Sequence, residues 1–572
     1  MKYFSLITTK APNRVFFSII LGAIAGLLYA TIIPIVLTSI SDSFYVDSSL
    51  NEVVEYWSID VIHPKIALLY FAICMVILLT RSISEIMLAH VATELSKDVR
   101  EKYYKRIANA PIESLEKIGS SRLIASINID IPQLVDGARV FPGLLVNCAT
   151  LFGMLFFLFY LDANILQLVV IAIVVGAICY RLPMFLGERL FRRVRESRDA
   201  LQSSIDGLIL GAKELKGDKL KSDNYITQVL NPLENYIVHK EKKAQTILRA
   251  TMNFGELISF FVIGFVVFVA INYHAIPSQE LVAVVMVLLY IAGPVGFILN
   301  AIPDMMVASV SNRKFNQLMA DIPDEGFNES LTALKPFDVI NFRKVSYQYK
   351  PHSGERSFCV GPIDLEVSRG QVTFIVGSNG SGKSTFSKVM TLHYMPTDGE
   401  IWFGENQVLP ENANSCRRQV CAIYTDFYLF DRLLLPISEE VLLKAQKYLK
   451  ALELESKVTI SAGRFSTLLL SDGQRKRLAL LVAFLEDKSV YLFDEWAADQ
   501  DPVFRKVFYR ELLPELKRQN KIVIVISHDD HYFDQADQLV YMDQGALEKV
   551  VNIDVSNIFS EPHTRDRKLP VI

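Results

Sequence analysis

The chain has 572 residues, 51% hydrophobic and only 21% charged, with a formal net charge of −3. Its mean hydropathy is +0.27, which excludes an ordinary soluble chain, and the near-balanced charge argues against nucleic acid as a partner. The length gives roughly two to four domains. Cys74, Cys148, Cys179, Cys359, Cys416 and Cys421 include no CxxC pair, so packing is a better reading than a disulfide framework or a zinc site.

Lys2, Lys10 and Arg14 lead into an apolar run from Val15 to Ile40. That run is too long for a signal-peptide core of roughly 7–15 residues and predicts a retained first membrane helix with no accessory domain before it. Further runs at Ile66–His90, Phe141–Leu161, Ile165–Tyr180, Phe254–Tyr273 and Leu281–Ile302 complete six candidate spans, a bilayer core needing about 20 helical residues. A polar loop with Asp42, Asp47, Glu52, Glu55 and Asp60 joins the first pair, Asp162-Ala163-Asn164 the second, and Asn272 to Glu280 the third.

These connectors lack Lys and Arg apart from Lys65, whereas the other two carry clusters such as Lys97–Arg106 and Arg189–Arg198. Positive loops stay cytosolic, which predicts a cytoplasmic N-terminus, two cytoplasmic basic connectors and everything after span six in the cytoplasm. The Arg189–Arg198 run reads as a helix leaving the membrane past anionic headgroups. Both basic connectors read as membrane helices continued into the cytosol. Their reversals, near Pro111–Gly119 and Gly207–Gly211, are natural docking points for a nucleotide-binding domain.

A polar stretch with Pro323, Gly326, Asn328 and Ser330 marks a linker. The expected organisation is therefore 1–320 membrane domain, 321–336 linker and 337–572 ATP-binding domain. In the last segment Val372–Val376, Val490–Phe493 and Ile522–Ile526 read as buried parallel strands of an α/β fold.

Gly377-Ser378-Asn379-Gly380-Ser381-Gly382-Lys383-Ser384-Thr385 fits the Walker A pattern and lies between a strand and a helix, the context that gives the motif its meaning. Its backbone N–H groups and the following helix N-terminus suit phosphate oxygens. Lys383 is expected to reach the β- and γ-phosphates and Ser384 to bind Mg²⁺. Asp494 and Glu495 end a second buried strand, where acids face the phosphate crevice. Asp494 is expected in the Mg²⁺ shell and Glu495 at the attacking water.

Leu470-Ser471-Asp472-Gly473-Gln474-Arg475-Lys476-Arg477 resembles the LSGGQ signature of the ABC ATPase family, with Asp472 in place of a glycine. The resemblance implies γ-phosphate contacts from Ser471 and Gly473 with Gln474 beside them, a switch histidine at His528, a D-loop aspartate at Asp501 and an adenine-stacking ring at Tyr349. Thr425, in Tyr424-Thr425-Asp426, stands where the family carries a glutamine that senses Mg²⁺ and couples to the membrane domain. Either Thr425 or Asp426 is a candidate replacement.

The signature segment, Asp494-Glu-Trp-Ala-Ala-Asp-Gln-Asp-Pro502 and Ile526-Ser-His-Asp-Asp530 together resemble the half-size cyclic-peptide exporters of Gram-negative bacteria, which carry siderophore peptides, lipopeptides or lasso microcins. That resemblance implies an α-helical six-span membrane domain of the type I exporter kind, fused to an α/β ABC ATP-binding domain. It implies a homodimer in the bacterial inner membrane, surrounded by lipid, hydrolysing ATP with Mg²⁺ to export a small cyclic or modified peptide. It leaves room for an outer-membrane duct, and export of lipids, drugs or linear peptides is the alternative. Within the spans Arg81, Glu85, Glu256 and Asp304 are candidate path residues, because ionisable groups there are costly; Arg81 and Glu85 stand i, i+4 and can pair. Pro34 and Pro294 are candidate kinks.

Overall fold

The structure is a computed structural model describing residues 11–45, 53–56, 59–62, 64–269, 278–325, 333–349 and 358–553. It divides into two compact units, residues 1–104 with 121–320 and residues 105–120 with 321–572.

The first unit is helical. Over the described residues each predicted apolar run falls on its own long helix: α1 Pro12–Tyr45, α2 Pro64–Ala108, then α4 Ser120–Leu161, α5 Ala163–Leu210, α6 Asn231–Phe268 and α7 Ser278–Asp321; the end of the run to Tyr273 lies outside the described residues. Among the described residues these helices span 34 to 48 residues, about 50–70 Å at 1.5 Å per residue. Each therefore outreaches a hydrocarbon core of roughly 30 Å. Four of them are long and apolar enough over described residues to cross a membrane, and α5 carries a shorter apolar stretch, Ala163–Cys179.

The segment between α1 and α2, expected as a plain polar loop, contains an antiparallel hairpin of β1 Val53–Tyr56 and β2 Ile59–Ile62. Between α4 and α5 the reversal is the expected tight one, and Asp162 caps α5 by accepting from the amides of Asn164 and Ile165 at 2.7 and 3.3 Å. At the other basic connector, α5 remains helical through Gly207. The chain turns after Gly211, through the short helix Ala212–Lys216, and re-enters at Lys219–Tyr225.

Small residues bring α1 and α4 together. A Cβ on Gly26 would lie 2.5 Å from the Val146 carbonyl and 2.6 Å from Ala149 Cβ, and one on Gly153 would lie 2.6 Å from Ala30 Cβ. Close backbone approach of this kind drives helix association where lipid removes the hydrophobic effect between helices. Ala30 and Ile33 then join Met154, Leu158, Ile165, Val169, Val284, Val287 and Ile291 in one buried cluster. The outward face instead presents Phe152, Phe156, Tyr160, Phe260 and Phe261, as a lipid environment permits.

Arg81 and Glu85 do pair, at 2.9 Å, and Tyr29 of α1 joins them by accepting from Arg81 at 3.2 Å. Asp304 follows Pro303 inside α7, and Pro34 and Pro294 lie within α1 and α7. The Glu256 side chain lies outside the described residues.

The second unit is α/β. Its main sheet has the order β11-β10-β5-β9-β8-β7, from β5 Gln371–Gly377, β7 Val420–Ile423, β8 Val490–Asp494, β9 Ile522–Ile526, β10 Gln538–Asp543 and β11 Ala546–Asn552. All neighbours are parallel except β10 with β11. β8 and β9 are buried along their whole length, which is why they read as unbroken apolar runs. A second, antiparallel sheet has β3 Val339–Gln348 between β4 Cys359–Ser368 and β6 Asp398–Phe403. The connector helix α3, Ile112–Ile118, belongs to this unit. Ile112 packs against the core formed by β3, β4 and helix α8, Lys383–Met390.

Candidate functional site

The centre of the site forms where β5 meets α8. Gly380 and Gly382 adopt φ +80° and +97°, a left-handed region open to glycine at no steric penalty, and the chain curls into a loop ahead of the α8 amides. Lys383 folds back over that loop, donating to the carbonyls of Gly377 and Ser378 at 2.8 and 2.9 Å. Burial lowers its pKa, opposed by the charges of Glu495 and Asp494. The loop is thus a cradle of N–H donors with a cation across it, shaped for a polyphosphate.

β8 delivers the acids beside it. Asp494 is buried, and burial together with neighbouring Glu495 pushes its carboxyl up to about 6, against the pull of Lys383. A buried carboxylate is an oxygen donor suited to a hard divalent cation, and the Ser384 hydroxyl in the first turn of α8 is a second candidate donor. Glu495 follows with φ +49°, a strained position for a side-chain-bearing residue of the kind that clusters at functional sites. It is fixed from both sides: its amide donates to the Ile526 carbonyl at 3.0 Å, and its carbonyl accepts from Lys476 at 3.1 Å. Its carboxylate meets His528 Nε2 at 2.9 Å.

Tyr349, at the end of β3, places its hydroxyl 3.2 Å from Thr385 Oγ1, joining the aromatic to the loop. Thr425 and Asp426 are exposed just past β7, the strand paired with β8. Asp426 adds to the negative field at Asp494. Preceding Tyr424 turns its hydroxyl to His393 Nδ1, at 3.1 Å.

The signature residues form a second cluster. Ser471 caps helix α10, Asp472–Glu486, in a reciprocal box with Gln474, the arrangement that satisfies two orphan amides at once. A Cβ on Gly473 would lie 2.9 Å from the Asp499 carbonyl, so glycine is required by close approach. Gln500 donates to the Gly473 carbonyl at 3.0 Å and accepts from Arg477 at 3.0 Å, while Trp496 donates to the Lys476 carbonyl at 3.1 Å. Asp501 caps the helix starting at Pro502–Val507 through the amides of Val503 and Phe504 and pairs with Arg477.

The structure therefore joins Lys383, Asp494, Glu495 and His528 in one group and links Tyr349 to it through Thr385. Ser471, Gly473, Gln474 and Asp501 gather along α10 and the turn after Glu495. Sequence reasoning did not anticipate Lys476, a buried cation bound to the Glu495 carbonyl and to Asp499 at 2.7 Å. Nor did it give a role to Trp496 and Gln500. Their place in the Asp494–Pro502 segment, which carries the resemblance to the cyclic-peptide exporters, was the available signal.

Residues 15–295 match the model of the ABC transporter transmembrane region, and residues 360–498, which include the Gly377–Thr385 cradle, match that of the ABC transporter. The chain belongs to the ABC transporters, as an ATP-driven transporter that carries a membrane region and an ATP-binding domain in one polypeptide. It is 29% identical over 554 residues to the ATP-binding protein SyrD of Pseudomonas syringae pv. syringae, covering 95% of each chain. It is 23% identical over 487 residues to the ATP-dependent lipid A-core flippase of Shewanella oneidensis, covering 80% of this chain and 78% of that one. The fold is that of a bacterial Atm1-family ABC exporter solved with ATP bound, with a TM-score of 0.74 at 15% identity over 94% of this chain and 95% of the other.

Proposed function

We propose that the chain is a homodimeric exporter of the bacterial inner membrane that hydrolyses ATP to move a cyclic or modified peptide out of the cytoplasm. The observation that carries the hydrolytic half is the Glu495–His528 pair set beside the Gly377–Thr385 cradle. In this reading the loop amides and Lys383 hold the phosphates, and Ser384 and Asp494 hold Mg²⁺. The cation would neutralise charge on the phosphates. Glu495 orients the attacking water and accepts its proton, while His528 fixes the Glu495 carboxylate and reaches toward the γ-phosphate. Tyr349 stacks on adenine.

The single Gly377–Thr385 cradle and the single signature segment in the chain support a dimer, because the family holds ATP between the cradle of one copy and the signature of the other. Ser471, Gly473 and Gln474 would then close over the ATP held by the partner's loop, with Asp501 near the seam. ATP would favour the closed state because that state alone completes both sites. Basic connectors on one side and unbasic ones on the other support cytoplasmic ATP-binding domains.

The peptide class rests on the Trp496–Gln500 segment and on Thr425 in the glutamine position, both features of the cyclic-peptide exporters that the sequence resembles. Mg²⁺-dependent ATPase activity in lipid nanodiscs tests it, with Glu495→Gln as control and cyclic peptides, linear peptides and lipid A cores added in turn. Stimulation by cyclic peptides is expected. Stimulation by the lipid alone would transfer the chain to the lipid exporters.

A further inference from the structure

α3 carries a carboxylate that none of the roles above uses. Glu116 accepts from Lys388 Nζ at 2.8 Å and from the Tyr394 hydroxyl. Burial raises the Glu116 pKa, but the hydrogen bonds from Lys388 and Tyr394 outweigh it and keep the carboxyl below its ordinary value. Lys388 closes the triangle, 3.3 Å from the Tyr394 hydroxyl. The Tyr394 ring is fully buried, stacks on Tyr347 at 4.8 Å and meets the Tyr349 ring edge-on at 5.9 Å. Tyr347 also meets Tyr349 edge-on at 5.2 Å. Glu116 is therefore linked to the hydroxyl that touches Thr385 through the Tyr394 and Tyr349 rings, with Tyr347 packed against both.

We propose that Glu116 is a positioning residue for the Tyr349 ring, so that α3 responds to whether a purine base occupies that ring. The proposal rests on the reading of Tyr349 as the adenine platform. Packed rings transmit displacement because interiors have little free volume. A base stacking on Tyr349 presses on Tyr347 and Tyr394, and the Tyr394 hydroxyl carries that to Glu116 and hence to α3. This route does not pass through position 425, where the family's coupling glutamine is replaced.

The test measures KM and kcat of the full-length protein in nanodiscs, for ATP and for ribose 5-triphosphate, which has the phosphates without the base. Glu116→Gln and Tyr394→Phe are each expected to raise KM for ATP about three- to tenfold, the worth of one aromatic contact, with kcat retained and KM for ribose triphosphate unchanged. Tyr349→Ala should raise KM for ATP by itself, and Glu116→Gln should add nothing in that background. Equal effects of Glu116→Gln on both nucleotides, or full additivity with Tyr349→Ala, would overturn the positioning role and leave the platform standing. An unchanged KM for ATP in Tyr349→Ala would remove the platform and the proposal with it.

Discussion

His528 Nε2 stands 2.9 Å from Glu495 Oε1, each residue lying just past the end of one of two adjacent parallel strands. Glu495→Gln is expected to lower phosphate release by about 10²- to 10⁴-fold, the range for loss of a general base, while nucleotide binding persists. Because the two groups act together, adding His528→Ala should cost less than it does in the wild type. Turnover of Glu495→Gln at the wild-type rate would dismiss the assignment.

Gly473 brings α10 close to the turn after Glu495. Gly473→Ala places a methyl 2.9 Å from the Asp499 carbonyl, and relief requires backbone movement, since the neighbour is not a flexible side-chain tip. Overpacking of this kind destabilises by about 1–3 kcal/mol. The expected result is a lower Tm with a loss of ATPase larger than the loss of fold, because the turn that moves carries Glu495. Unchanged kinetics would show that the turn can shift independently of the carboxylate.

The α1–α4 seam gives a prediction in the membrane region. Gly26→Leu must displace the Val146 carbonyl and the Thr150 amide, 2.5 and 2.9 Å from the new Cβ. The variant should lose yield and thermal stability in detergent, whereas Phe17→Ala, at an exposed position on the same helix, should not. Equal behaviour of the two would mean that the seam does not hold the helices.

His393 predicts an acid sensitivity. Burial, reinforced by the charges of Arg417 and Lys388, pushes its pKa from 6.5 down to about 4. Between those values the unfolded chain holds a proton that the folded chain excludes. Stability therefore rises with pH across this window and falls on acidification, by up to about 3 kcal/mol from this group. His393→Gln should lose less Tm than wild type between about pH 7.5 and pH 5. Identical slopes would assign the acid sensitivity to other groups.

Legibility in the sequence followed locality. The Gly377–Thr385 cradle could be read because its chemistry is contiguous, and β8 and β9 because strands buried on both faces leave unbroken apolar runs. The Arg81–Glu85 pair could be read because helical neighbours stand four apart. Tyr29 could not, since its approach depends on how α1 packs. The same holds for Gln500 and Gly473, 27 positions apart, and for Lys476, whose burial depends on the turn folding over it. The α3 segment looked like a turn because its seven helical residues are too few to show a period. Its place with the ATP-binding unit comes from Ile112 and Glu116 finding partners far along the chain.

The glycine seam extends to a third helix. Ser18 and Ser84 exchange hydrogen bonds between α1 and α2, each hydroxyl donating to the other's carbonyl at 2.8 to 2.9 Å. Gly22 sits between Ser84 and Val146, which ties the same stretch of α1 to α4. At Gly26 the neighbours are the Val146 carbonyl and the Thr150 amide, and at Gly22 they are the short Ser84 and Val146 side chains, so α1, α2 and α4 are packed together at this level. Parting α1 from its neighbours here would uncover the backbone at Gly26 and Gly153 and strand the Ser18 and Ser84 hydroxyls in a medium with no water to replace their partners.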